Sequence, residues 1–139
     1  MTTRTYARYR LADDESSSRV AGCLSALGTV ETGPAKAIES DYFDSFDWRL
    51  FGAGMSLCRQ GAELLLHDHK RGAAIASFRG DLPSGFAFDF PAGRLRGLMA
   101  GIIDVRRLLA RVTLVSKQTP LTLRDKEGKA VLRLALERV

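Results

Sequence analysis

Arginines at alternate positions are the strongest chemical signal in this chain. Tyr6, Arg8 and Arg10 share one face of the alternating run 5–11. Two guanidiniums at strand spacing can grip phosphate or carboxylate oxygens bidentately. The pattern suits either an inward, anion-gripping stripe or a solvated strand face. Arg133 and Glu137 share a face of the closing run, as an ion pair between strands would. Arg94, Arg96, Arg106, Arg107 and Arg111 surround an apolar-striped segment and read mainly as its solvated side. Arg106 stands apart because it falls beside the stripe. His67 and His69 flank Asp68, a spacing that zinc can use. A zinc site takes about three or four ligands, and no other Cys or His completes one. The simpler account is a strand end passing into Lys70-Arg71. Cys23 and Cys58 match no metal or redox spacing and read as reduced thiols of a cytosolic protein. There is no Ser-His-Asp set, Walker loop or Gly-rich dinucleotide turn, and Gly52-Ala53-Gly54 is a turn signal only. Tyr42, Phe43, Trp48, Phe86, Phe88 and Phe90 read as core, since no basic residues interleave them as a base-stacking platform requires.

The chain that must position these groups has 139 residues, 45% hydrophobic and 27% charged, which fits one globular domain spanning 1–139. Its net charge of +5 favours anionic partners without choosing among them. No run approaches the roughly 20 apolar residues of a membrane span. Met1-Thr2-Thr3-Arg4 leads into no apolar core of a secretory signal.

The periodicity predicts an α+β domain dominated by antiparallel strands. A first strand covers 5–11. Asp13, Asp14 and Ser16 offer N-cap chemistry to a short helix carrying Val20, Leu24 and Leu27, with Gly28 as its stop. Residues 29–37, with Gly33-Pro34, read as a loop. Residues 39–43 read as a strand, 45–51 as a turn, and 54–59 with 62–67 as a hairpin about Gln60-Gly61. A further strand covers 73–78, and a loop 80–85. Phe86, Phe88 and Phe90 alternate on one face. The stripe Leu95, Leu98, Met99, Ile102, Val105 and Leu109 predicts a longer helix over about 92–110. Strands at 112–117 and 121–124 flank Thr119-Pro120. A polar turn at 125–129 precedes a final alternating strand, 130–139, which runs to the last residue as in a piece of a longer chain.

Two blocks carry a family resemblance. Asp41-Tyr42-Phe43-Asp44-Ser45, followed by Leu50 and then Gly54-Met55-Ser56-Leu57-Cys58-Arg59, resembles the YFDT and Leu-Arg-x-Arg pattern of the CYTH superfamily, the triphosphate tunnel domains. Ile103 to Leu109, and Leu123 to Lys129, are similar to that family's late helix and hairpin. With the first strand these pieces span most of the chain. The resemblance implies a closed or nearly closed antiparallel tunnel of about eight strands with charged side chains inside. Basic residues there grip a polyphosphate, and glutamates hold Mg²⁺ or Mn²⁺. The chain departs from the pattern where that chemistry sits. Tyr6 and Arg8 occupy the two glutamate positions of the first strand, and Arg10 keeps the expected charge. Cys58 and Gln60 stand where two arginines belong, with Arg59 between them, and His67 replaces a lysine. Among the late acidic residues Glu137 alone matches. An arginine offers donors and no lone pair, so it cannot replace a metal-binding carboxylate.

The expected function is therefore a degenerate tunnel-type domain of bacterial, cytoplasmic type. It would bind polyphosphate or another phosphate-rich anion through Arg8, Arg10, Arg59, Arg106, Lys117 and Arg133, without hydrolysis. The resemblance further implies a downstream helical CHAD domain as partner. The alternative is a non-catalytic interaction or dimerisation scaffold, with a homodimer as one form. A metal-dependent triphosphatase ranks third. It would need Mg²⁺ or Mn²⁺ on at least two of Glu39, Asp41, Asp44, Glu63 and Glu137.

Overall fold

The computed structural model describes residues 9–80, 82 and 84–139. In chain order the elements are α1 (Asp14–Ser25), β1 (Thr29–Thr32), β2 (Lys36–Asp44), α2 (Arg49–Gly52), β3 (Met55–Gln60), β4 (Glu63–Asp68) and β5 (Ala73–Arg79). A 3₁₀ turn (Ala87–Asp89), α3 (Arg94–Ile103), β6 (Leu109–Arg124) and β7 (Ala130–Arg138) complete the chain. The strands pair antiparallel in the order β1-β6-β2-β3-β4-β5, with β7 also on β6, and among the described residues they do not close into a barrel. The α+β class and the antiparallel sheet are as expected. No helix of the described residues is long and apolar enough to cross a membrane.

The chain divides into two compact units. In the first, residues 39–114, the hairpin β3–β4 turns at Gly61, whose φ of 59° glycine adopts without a Cβ clash. One face of β3–β5 packs under α3. Leu57, Leu64 and Leu66 meet Leu95, Met99 and Ile103 there, with Phe43, Leu50 and Phe90 closing the core. The buried residues of α3 recur at helical spacing, the arrangement that buries one stripe of a helix.

The second unit comprises residues 9–38 and 115–139. The Asp13 side chain accepts from the Ser16 N–H at 2.9 Å and caps α1, as predicted. Leu24, Leu121 and Leu123 form its core, with Val20, Val30, Leu134 and Leu136 packed against them. β7 pairs with β6 in the register Leu121↔Leu134 and Pro120↔Ala135.

Several expectations are corrected. The predicted first strand lies largely outside the described residues, and its described part, 9–11, is not strand. The stretch 29–37 is not one loop, because β1 forms before Gly33-Pro34 and β2 begins at Lys36. The long helix ends at Ile103, where Asp104 turns to a φ of 54°, outside the helical range. Val105 is consequently exposed and Leu109 opens β6. Thr119-Pro120 does not interrupt β6. Pro120 needs no N–H there, and its carbonyl accepts from the Gly33 N–H at 2.9 Å. The three phenylalanines do not share a face: Phe90 is 2% exposed and Phe88 58%, because the 3₁₀ turn breaks the alternation.

Candidate functional site

The segment between β2 and β3 organises the first unit. Asp44 ends β2 buried, and its carboxylate accepts from the backbone N–H groups of Ser45 (2.7 Å), Leu50 (2.9 Å) and Phe51 (3.1 Å). These donors include the orphan N–H groups of α2, so Asp44 anchors the turn electrostatically. The Ser45 hydroxyl accepts from the Arg49 N–H at 3.0 Å and donates to Asp47 at 2.8 Å. Clamped between these bonds, Trp48 adopts φ 57° and ψ 42°, a left-handed conformation rare for a bulky side chain. Such a conformation costs of order 1–3 kcal/mol and persists where its surroundings over-determine it.

The result is an exposed aromatic platform. Trp48 is 48% exposed, which overturns its reading as core. Phe46 and Phe51 beside it in sequence are exposed too. The Arg111 guanidinium carbon lies 3.9 Å from the Trp48 ring centroid. Trp48, Phe51, Tyr42, Met55, Val112 and Leu114 line most of a pocket of about 210 Å³, to whose almost wholly apolar wall Arg111, His69 and Ser56 also contribute. Arg111, expected among the basic residues that surround the long helix, lies on β6. The reading by period missed this site, because the strain that exposes Trp48 comes from Asp44 bonding residues up to seven positions away.

The charges near this segment are held in place. Asp47 Oδ2 accepts from Arg106 Nε at 2.8 Å and from Arg49 Nε at 3.2 Å. Desolvation alone would raise the Asp47 pKa. Hydrogen bonds from Ser45, Arg49, its own backbone N–H and Arg106 outweigh it and bring the pKa from 3.8 to about 2. Asp41 lies opposite Arg59 in the β2–β3 register, and Arg59 donates to it at 3.0 Å while lying over the Phe43 ring. The Thr113 hydroxyl donates to the other Asp41 oxygen at 2.7 Å. That bond, then the one from Arg59, lowers the Asp41 pKa.

The other expected residues are dispersed. Arg8 lies outside the described residues. Arg59 and Arg106 sit on different carboxylates. Arg10, Lys117 and Arg133 belong to the second unit and are exposed. The register Lys117↔Arg138 and Thr122↔Arg133 puts Lys117 and Arg133 on opposite faces of the β6–β7 pair. Cys58 and Gln60, at the two expected arginine positions, lie opposite Tyr42 and Ser40, so no charged residue faces them across the β2–β3 pair. Gln60 donates to the Ser40 hydroxyl at 3.0 Å. His69 shares a hydrogen bond with Ser56. Among the described residues no three His, Cys, Asp or Glu side chains are grouped to hold a metal ion. Glu39 and Glu137 are exposed on separate strands, and Glu63 faces Gln60 across the hairpin.

Comparison with known proteins gives no match to a protein-family model, a curated protein or a solved structure.

Proposed function

We propose that this chain is a non-catalytic interaction module, a degenerate CYTH-like scaffold whose working surface is the aromatic pocket at Trp48. The observation that carries the reading is the strained, half-exposed Trp48 stacked under Arg111. Trp, Tyr and Arg are the residues that dominate protein–protein binding energy when they line a pocket. The volume of about 210 Å³ is below the roughly 300–1,000 Å³ of sites that hold a whole small-molecule ligand. It suits one apolar anchor side chain of a partner. Three guanidiniums, those of Arg49, Arg106 and Arg111, adjoin the Asp47–Trp48 segment, and the carboxylates of Asp47 and Asp44 balance two of their charges, leaving one in excess. The favoured partner is therefore a segment with an apolar anchor beside Asp or Glu. Selection of displayed random peptides on the native protein, followed by counter-selection on Trp48→Ala, tests this. Enrichment of apolar-acidic motifs that the variant no longer retains is the expected result. Peptides held equally by both proteins would sink the reading.

The same excess of positive charge favours a second reading, that the rim of this pocket holds a phosphate-rich anion without hydrolysing it. Calorimetric titration with tripolyphosphate, with and without Mg²⁺ and at two salt concentrations, separates the two. Metal-independent, salt-sensitive binding abolished by Arg111→Ala would establish the anion reading. Binding that requires Mg²⁺ and releases phosphate would instead establish a triphosphatase.

A further inference from the structure

The three guanidiniums around Trp48 are not equivalent. Arg106 and Arg49 both donate to Asp47 Oδ2, at 2.8 and 3.2 Å. Arg111 lies within ion-pair distance of no carboxylate among the described residues, and its contact is the Trp48 ring. Asp44 lines the same pocket and offsets charge there. Its oxygens, however, are taken up by the N–H groups of Ser45, Leu50 and Phe51. His69, also in the wall, shares its hydrogen bond with Ser56. Arg111 is therefore the cation of this wall whose donors are left to solvent.

Stacking keeps those donors usable. A guanidinium is planar and carries its N–H groups in that plane, whereas a stack on an aromatic ring uses only the flat face. Arg111 is exposed on β6 and forms part of the pocket wall. Its N–H edge therefore stands beside the space that an apolar side chain would fill. An in-plane fork, held in position by the indole, matches the paired oxygens of a carboxylate.

We infer that Arg111 is the specificity-determining residue of the pocket, reading a single carboxylate bidentately beside the partner's apolar anchor. This rests on the reading that the pocket takes such an anchor from a protein segment. One uncommitted cation matches one carboxylate. A polyphosphate would bring several negative charges to a site whose other guanidiniums Asp47 already holds. Lysine at this position would supply the charge without the planar fork.

Peptide selection on the charge-reversed protein tests this, with circular dichroism as the control for folding. Arg111→Glu should still enrich the apolar anchor while exchanging the neighbouring Asp or Glu for Lys or Arg. Arg96→Glu makes the same change of charge outside the pocket wall and should enrich the same peptides as the unmodified protein. A peptide chosen on the unmodified protein is then titrated in a double-mutant cycle. Exchanging its Asp or Glu for Asn or Gln should weaken binding roughly tenfold on the unmodified protein and less than about twofold on Arg111→Gln. Arg111→Lys should restore only part of that difference, and full restoration would overturn the bidentate grip. An acid preference that survives Arg111→Glu overturns the inference. So does a folded Arg111→Glu that enriches no basic motif, or an equal loss on Arg111→Gln and the unmodified protein. Each of these leaves the anchor reading standing, whose own failure is marked by peptides held equally by Trp48→Ala.

Discussion

Arg111 stands 3.9 Å from the centre of the Trp48 ring, and the indole it covers is held in a left-handed backbone conformation. The pair joins a strained turn to a strand more than sixty residues later. A cation stacked on tryptophan contributes about 0.5–2 kcal/mol, comparable with the strain at Trp48. The turn therefore gains its rigidity largely from Asp44 and Ser45, and the aromatic surface is left available.

Replacing the tryptophan separates strain from contact. Asn tolerates the left-handed region, so Trp48→Asn should change unfolding free energy by less than about 1 kcal/mol despite losing a large ring. A β-branched residue does not, and Trp48→Val should cost about 2 kcal/mol or more. Urea denaturation of both variants checks this ordering. Both should lose peptide binding.

Asp44 is the mechanical centre of the segment. Asp44→Ala leaves three N–H groups without their carboxylate and should destabilise by about 2–3 kcal/mol. Asp47→Ala should cost distinctly less, because its partners are solvent-accessible arginines. Equal losses in the two variants would contradict the capping role of Asp44.

Acid sensitivity should trace to the two ion-paired aspartates. Asp47 titrates near 2 when folded and near 3.8 otherwise, and Asp41 is lowered too. A depressed carboxyl pKa contributes stability above the unfolded value, and that contribution fades as pH falls through the folded one. Stability should therefore decline between about pH 4 and pH 2. Asp47→Asn should flatten part of that slope in thermal melts taken across the window.

In the second unit, Gly28 permits a close crossing. A Cβ placed there would stand 2.4 Å from the Arg124 carbonyl oxygen. Gly28→Ala should force the chains apart and cost about 1–3 kcal/mol. Gly22, with open space around it, should accept alanine with no loss. Comparative denaturation of the two variants is the check.

The sequence made local features legible. The cap at Asp13, the turn at Gly61 and the alternation of β7 were all readable because a few adjacent residues determine them. The end of α3 was not. Val105 and Leu109 continue the helical period while Asp104 breaks the backbone, and periodicity carries no record of φ. Gly33-Pro34 disguised β1 as loop, since strand pairing to residues 121–124 overrides local turn preference. The site was harder still. Arg106 was expected to face an anion, yet Asp47, fifty-nine residues earlier, holds it. Arg59 was singled out without its partner, and Asp41 became visible as that partner only through the β2–β3 register. The aromatic at the centre of the pocket looked like core because composition reports that a residue is apolar, not which way a strained turn aims it.

Trp48 is also the chain's one tryptophan. Its indole fluorescence therefore originates entirely at the pocket, half in water and half against Arg111. Any occupant that displaces water from the ring should move that emission to shorter wavelength. The protein thus carries an intrinsic optical reporter at the surface where a partner would land, and needs no attached dye to signal its arrival.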